Sequence, residues 1–111
     1  MKKRILVVDD SPLVREMYKA QLEEGGYEVW TAADGIEAIN MVFMRLPDLI
    51  LLDVHMPKIN GYQVCRLLKD HPGTKTIPIV IMTARDAGGV IQDPRQWSFQ
   101  TGADGFYEKD E

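Results

Sequence analysis

Three aspartates follow two apolar runs of the kind that form buried strands. Asp9 and Asp10 come directly after the run at 5–8, and Asp53 comes directly after the run at 49–52. Neighbouring parallel strands lie about 4.8 Å apart, so if these two strands are adjacent their terminal carboxylates crowd one small space. A hard divalent cation relieves the repulsion, and Mg²⁺ prefers carboxylate, carbonyl and water oxygens. The pattern therefore predicts a Mg²⁺ site.

A hydroxyl and an ammonium group follow two later apolar runs. Thr83 ends "IPIVIMT" and Lys109 follows "GFYE". Each residue alone would indicate little, since a lone lysine is usually a solvated charge. Beside a metal-held carboxylate, however, an ammonium group neutralises the charge on a transferring phosphoryl group and a hydroxyl hydrogen-bonds it. The combination indicates a phosphoryl acceptor site.

These residues depend on an alternation of strands and helices. The apolar runs predict strands at 5–8, 27–32, 49–52, 77–82 and 103–109, with helices at 13–22, at 36–46, around 64–68 and at 93–100. Ser11 can cap the first helix and Pro12 suits its first turn. Leu13, Met17 and Ala20 are predicted to share its apolar face, with Val14, Tyr18 and Leu22 beside them, while Arg15, Glu16, Lys19 and Glu23 point elsewhere. Such alternation favours one open parallel α/β sheet with helices on both faces, in which ligands bind at the carboxyl ends of the strands.

Composition excludes several classes of protein. A chain of 111 residues, 45% of them apolar, is long enough for one domain. The net charge of -4 argues against direct binding of nucleic acid, and no run approaches the ~20 apolar residues that span a bilayer. A single cysteine, Cys65, cannot form an internal disulfide. We expect a cytoplasmic protein with no membrane partner.

Four segments together resemble the receiver domains of two-component response regulators. They are, in order, "VVDDSP", "LLDVHMPKING", "IPIVIMTA" and "GADGFYEK", and the resemblance covers almost the whole chain. It implies a flavodoxin-like sheet of five parallel strands in the order 2-1-3-4-5. It also implies a phosphorylation-dependent signalling switch, not an enzyme, whose partner is a sensor histidine kinase or a phosphotransfer protein.

The resemblance assigns roles to the acidic residues and to one neighbour. Asp53 would be the nucleophile that takes a phosphoryl group from a kinase phosphohistidine. Asp10 would bind Mg²⁺ directly, Asp9 would act mainly through water, and the backbone carbonyl of His55 would complete the protein ligands. The side chain of His55 could instead, or in addition, tune access of water to the site.

The later residues receive roles in the same way. Thr83 and Lys109 would bind phosphoryl oxygens. On phosphorylation Thr83 would move toward the phosphate and Phe106 would turn inward as the switch aromatic, which changes the surface around the fourth helix and fifth strand. Arg85, two positions beyond Thr83, would tune phosphate lifetime.

Three features depart from the family pattern. The segment 85–96 is longer than usual and is either a tolerated surface insertion or a remodelled fourth helix. Asp110 stands where the family usually has a proline, which puts the placement of Lys109 in question. The sequence stops at Glu111, before the family's last helix, so we expect residues 1–111 to be a C-terminally truncated receiver domain. The alternative is that another subunit, as in a homodimer, covers this face of the sheet.

Two other functions compete with the switch. One is a phosphate-independent interaction module that keeps the receiver fold. The other is a Mg²⁺-dependent phosphohydrolase, which is disfavoured because His55 stands where such enzymes carry a second aspartate two positions after the nucleophile.

Overall fold

The fold is taken from a computed structural model that describes residues 2–54, 56, 58–84 and 103–109, with the backbone alone for 83, 84 and 106–109. Strands and helices alternate along the chain as the sequence pattern predicts. In the described ranges the elements are β1 (Arg4–Val8), α1 (Pro12–Glu24), β2 (Glu28–Ala32), α2 (Gly35–Arg45), β3 (Leu49–Asp53), α3 (Gly61–Asp70), β4 (Ile79–Ala84) and β5 (Gly105–Lys109). Within those ranges no helix is long and apolar enough to cross a bilayer.

The five strands form one parallel sheet in the order β2-β1-β3-β4-β5. The predicted strand order is therefore confirmed. β4 begins at Ile79, two residues later than the apolar run suggests, because Ile77 donates its N–H to Thr74 in the preceding turn and Pro78 has no N–H to give to a ladder.

Two apolar cores lie on opposite faces of the sheet. Successive side chains of a strand point to opposite faces, and β1 shows this directly. Leu6 and Val8 pack into the larger core with α2 and α3, whereas Ile5 and Val7 pack into a smaller one beneath α1. Helices thus cover both faces, as predicted.

The apolar face predicted for α1 is wrong in detail. Leu13 is 79% exposed and Met17 48% exposed, and Ala20 is exposed as well. Tyr18 and Leu22, which the sequence places beside that face, are the residues that pack on the sheet. Next to them lies an apolar groove of about 230 Å³, lined by Tyr18, Gln21, Leu22, Leu51, Val80 and Met82. The helix therefore rests on the stripe of Tyr18 and Leu22, next to the stripe that was predicted to be its centre.

At the amino end of the sheet, two aspartates tie strand starts together in the same way. The backbone N–H of Asp48 donates to the carbonyl of Arg4 (2.8 Å), and its Oδ2 accepts the N–H of Arg4 (2.8 Å). Asp104 repeats this with Ile79, at 2.9 Å in both directions. Each aspartate precedes one strand and holds the first residue of the strand beside it.

A cation accompanies each of these aspartates. The Nζ of Lys69 lies 2.6 Å from Oδ2 of Asp104 and also donates to the carbonyls of Lys75 and Ile77. The guanidinium of Arg4 lies 3.6 Å from Oδ2 of Asp48 and donates to two carbonyls at the end of α2, those of Arg45 and Leu46. The amino edge is thus closed by paired charges.

Candidate functional site

Three carboxylates meet at the carboxyl edge of the sheet. β1 and β3 are parallel neighbours with Val8 opposite Leu52, so Asp9 leaves β1 beside Asp53 at the end of β3. Ligand oxygens of Asp9, Asp10 and Asp53 all lie within 4.8 Å of one another. Asp9 and Asp53 are buried, with 1% and 3% of their surface exposed, while Asp10 is exposed. The structure thus brings together the three aspartates that the sequence pattern singled out, in a cup open on the side of Asp10.

The β1–α1 turn is fixed by bonds to each polar group of Asp9. Its N–H donates to the carbonyl of Ala32 (3.1 Å), its Oδ1 accepts the N–H of Ser11 (3.0 Å), and its carbonyl accepts Nη1 of Arg15 (2.6 Å). Ser11 is the N-cap of α1, since its hydroxyl accepts the N–H of Val14, and Pro12 opens the helix. The predicted cap is confirmed, and it sets the direction in which the chain leaves the aspartates.

Gly61 allows the start of α3 to approach the back of Asp53. A Cβ at position 61 would collide with the backbone carbonyl oxygen of Asp53 and lie 3.0 Å from the Cα of Val54. The N–H of Gly61 donates to the carbonyl of Val54 (3.0 Å), and the N–H of Val54 donates to Met82 on β4 (3.2 Å). The end of β3 is therefore held between β4 and α3, and only glycine fits at that contact.

The segment between Asp53 and α3 is anchored at both ends. Met56 packs into the larger core, 9% exposed. At the other end, Asn60 and Gln63 form a reciprocal capping box, each side-chain oxygen accepting the other's backbone N–H at 2.9 Å. Lys58 between them takes the left-handed conformation, with φ of 71°. This geometry explains why an apolar side chain suits position 56 and a glycine suits position 61.

Three later residues of the predicted site, Thr83, Phe106 and Lys109, are described by their backbones alone. Thr83 and Lys109 stand in β4 and β5 at the same carboxyl edge, where Thr83 is opposite Glu108 and Ala84 is opposite Lys109. Phe106 lies further back, opposite Ile81. The register therefore brings the expected hydroxyl and ammonium positions to the edge that carries the aspartates.

The donor set suits a hard divalent cation. The cluster offers only carboxylate oxygens, two of them on buried residues, and its exposed side leaves room for water or a phosphate oxygen. Mg²⁺ is usually held by one or two carboxylates and keeps several waters. The three aspartates thus fit Mg²⁺ better than a softer metal.

Comparison with known proteins identifies the family. The sequence model of the family described as the response regulator receiver domain matches residues 5–111 of this chain. The chain belongs to the response regulator receiver family. It is 46% identical over 109 residues to the response regulator PleD of Caulobacter vibrioides, covering 98% of this chain and 23% of PleD. It is 42% identical over 110 residues to the response regulator MprA of Mycobacterium tuberculosis, covering 98% of this chain and 45% of MprA.

Solved structures agree with this receiver assignment. The chemotaxis protein CheY4 of Vibrio cholerae superposes with a TM-score of 0.87 at 31% identity, covering 100% of this chain and 89% of that one. The response regulator TrrA of Thermotoga maritima, solved in complex with Mg²⁺-BeF, gives a TM-score of 0.81 at 36% identity, covering 97% of this chain and 87% of that one. By contrast, the receiver chain spans less than half the length of PleD and MprA.

Several predictions for the receiver site fall outside the described residues. These concern His55, Arg85, Asp110 and the segment 85–96 with the helix predicted at 93–100. For Thr83, Phe106 and Lys109 the described part is the backbone. Their proposed contacts with a phosphoryl group therefore remain predictions.

Two residues of the receiver site were not given a role by the sequence pattern. Helical periodicity places Arg15 away from the apolar face of α1, but it is half-buried and donates to Asp9. Gly61 is the last residue of the segment that follows Asp53 in the family motif, and the motif gives no hint of the contact with Asp53 that requires a glycine. The role of Arg15 has one signal in the sequence: this arginine lies one turn into a helix that starts beside an aspartate pair.

Proposed function

We propose that this receiver domain is a signalling switch in which Asp53 accepts a phosphoryl group in a Mg²⁺-dependent reaction. The observation that carries the proposal is the convergence of Asp9, Asp10 and Asp53, with ligand oxygens within 4.8 Å, at the end of two adjacent strands. Among the three, Asp53 is assigned as the nucleophile because it ends β3 beside the end of β4 that carries Thr83, and because its backbone is held between β4 and α3.

The three carboxylates divide the work. Asp10, at the exposed side of the cup, binds the cation directly, and Asp9, whose Oδ1 already accepts the N–H of Ser11, acts mainly through water. The backbone carbonyl of His55 completes the protein ligands. When bound, Mg²⁺ neutralises charge on the transferring phosphoryl group.

The transfer itself needs little covalent chemistry from the domain. A carboxylate oxygen of Asp53 forms a bond to phosphorus as the P–N bond of a phosphohistidine breaks, and the imidazole leaves. Thr83 and Lys109, whose positions share this edge of the sheet, hydrogen-bond and neutralise the phosphoryl oxygens. Movement of Thr83 and Phe106 then changes the surface around the fourth helix and β5, while His55 and Arg85 tune phosphate lifetime.

The relatives support this proposal and extend it to partners. TrrA was solved in complex with Mg²⁺-BeF. A second relative, RpaA of Synechocystis, is a DNA-binding transcriptional regulator and is 40% identical over 96% of this chain. This chain spans 42% of RpaA. A sensor histidine kinase or phosphotransfer protein in the cytoplasm is the proposed donor, and an output domain or separate protein the proposed target.

The test is incubation with a small acyl phosphate, with and without Mg²⁺, followed by intact-mass measurement. The expected result is one stable phosphate on the wild type, dependent on Mg²⁺ and absent from Asp53→Asn. Asp48→Asn is the matched control, since it removes a carboxylate from the opposite edge of the same sheet, and it should still be phosphorylated.

Two other outcomes would replace the proposal. A wild type that stays unmodified at every Mg²⁺ concentration would favour a phosphate-independent interaction module. Rapid turnover of unrelated phosphoesters without a stable adduct would indicate a phosphohydrolase.

A further inference from the structure

We infer that Arg15 is a positioning residue of the acidic site, which holds the peptide bond between Asp9 and Asp10 so that both carboxylates are preset for a cation. The inference rests on the proposed function for its Mg²⁺ site, but its structural part concerns the metal-free protein. Nothing in the family motifs quoted above includes this residue.

The contact of Arg15 is with the backbone of the acidic cluster and does not occupy its carboxylate oxygens. Nη1 of Arg15 lies 2.6 Å from the carbonyl oxygen of Asp9. That oxygen belongs to the planar peptide unit that joins Asp9 to Asp10. A hydrogen bond from a charged donor to this oxygen therefore restricts the torsions on both sides of the peptide, one in each aspartate.

The same arginine ties this peptide to α1. Its backbone N–H donates to the carbonyl of Ser11 (3.0 Å), inside the first turn of the helix. No residue of α1 is fully buried, so packing alone holds the helix weakly. Arg15 thus connects the helix directly to the turn that presents Asp10, the exposed member of the cup.

Two effects of Arg15 on cation binding oppose each other. Its positive charge repels Mg²⁺, whereas its hydrogen bond holds the ligands in place. Asp10 is exposed, so solvent and salt screen the repulsion on that side. Removing a group that orients a metal ligand typically weakens metal binding about 10–100-fold. We therefore expect positioning to outweigh repulsion.

Three substitutions separate charge from hydrogen bonding. Arg15→Met removes both, Arg15→Lys keeps a charged donor, and Arg15→Gln keeps a neutral donor. Arg66→Met is the matched control, because Arg66 is a helical arginine with a 67% exposed side chain, paired with Asp70 on α3.

The experiment has a metal-free and a metal-bound readout. In the metal-free protein, the NMR order parameter of the Asp10 amide should fall in Arg15→Met and stay near the wild-type value in Arg15→Lys. In titration calorimetry, Arg15→Met should raise the Mg²⁺ dissociation constant about tenfold, with partial recovery in Arg15→Lys and Arg15→Gln and no change in Arg66→Met.

Several results would overturn the role of Arg15. One is Mg²⁺ binding by Arg15→Met that equals or exceeds that of the wild type, since repulsion would then dominate. Another is a lower melting temperature with an unchanged Asp10 order parameter and unchanged Mg²⁺ affinity, which would mean a merely structural role. If the wild type itself fails to bind Mg²⁺, the proposed function fails, while the Asp10 order parameter still decides what Arg15 does.

Discussion

The two edges of the sheet use the same residue type for opposite purposes. At the amino edge, Asp48 and Asp104 each accept a strand N–H and lie beside a cation, Arg4 or Lys69. At the carboxyl edge, Asp9, Asp10 and Asp53 are gathered with their oxygens within 4.8 Å of one another. At the amino edge each aspartate lies beside a cation, whereas at the carboxyl edge three carboxylates lie close to one another.

This difference separates stability from function along a single set of strands. An ion pair between an aspartate and a cation lowers the free energy of the folded state, whereas repulsion among Asp9, Asp10 and Asp53 is a contribution that raises it and that a bound cation offsets. Strand β3 is flanked by both kinds of aspartate, since Asp48 directly precedes it and Asp53 ends it. An aspartate's role is therefore set by what its neighbours present, which substitutions at each edge can test.

The largest expected effect comes from crowding the functional edge. Gly61→Ala places a Cβ against the backbone of Asp53 and Val54, and backbone cannot yield as a side chain can. Overpacking of this kind costs about 1–3 kcal/mol in the free energy of unfolding, measurable by urea denaturation. Gly105→Ala, whose Cβ would meet Val80 at 3.6 Å and no other described side chain within 4 Å, is the control and should be nearly neutral. Equal effects of the two substitutions would refute the close contact.

The next largest effect is expected at the amino edge. Asp104→Ala removes the acceptor of the Ile79 N–H and the partner of Lys69, whose side chain is only 13% exposed. Losing a charged hydrogen bond costs about 1.5–3 kcal/mol, and we expect the low end because Asp104 is half exposed. Urea denaturation at neutral pH measures the loss. Asp70→Ala, which breaks an exposed pair on α3, should cost far less.

Removal of a negative charge from the carboxyl edge should instead raise the free energy of unfolding. In metal-free protein, Asp10→Asn removes one of three crowded charges, and the relief of roughly 1 kcal/mol exceeds the loss of about 0.5 kcal/mol from a carboxylate near the start of α1. The variant should therefore unfold at slightly higher urea than the wild type. Added Mg²⁺ should reverse the order, because it stabilises only the protein that binds it. A variant less stable than the wild type without Mg²⁺ would contradict the repulsion.

The smallest expected effect is a loss of stability of the fold at acidic pH. The N–H of Arg4, followed by the charges of Arg4 and Lys3, lowers the pKa of Asp48. Burial alone would raise the pKa of Asp104, but the bonds from Lys69 and Ile79 outweigh it and lower that pKa too.

A lowered folded pKa sets the direction of the pH effect. The stabilisation is complete above the unfolded value, about 3.9, and is lost as pH falls through the folded value. The urea midpoint of the wild type should thus exceed those of Asp48→Asn and Asp104→Asn at pH 6, with the differences shrinking below about pH 4. Differences that do not shrink as the pH falls below about 4 would show that charge is not the cause.

Sequence was sufficient to locate the three aspartates of the carboxyl edge and insufficient for the aspartates of the amino edge. Apolar runs that end in Asp9 and Asp53 are local signals, and the rule that ligands gather at the carboxyl ends of parallel strands turns them into a site. Asp48 and Asp104 carry no such signal, because their partners Arg4 and Ile79 are 44 and 25 residues away. Their role depends on strand register, which appears only in the folded sheet.

The errors have a related physical origin. Periodicity predicted Leu13 and Met17 on the packed face of α1, yet both are exposed, since the position of the helix over the sheet decides which stripe is covered. Arg15 was assigned to solvent because charged residues usually are, and its bond to Asp9 depends on the turn geometry. Local pattern predicts that an element exists, while tertiary contacts decide which side it presents.

The most direct measurement is the position of the phosphate. After reaction with an acyl phosphate and Mg²⁺, peptide mapping by tandem mass spectrometry should place a single phosphoryl group on Asp53 and none on Asp48, five residues earlier at the opposite end of the same strand. A phosphate on any residue other than Asp53, or an adduct that persists in Asp53→Asn, would contradict the assignment of the carboxyl edge as the functional one.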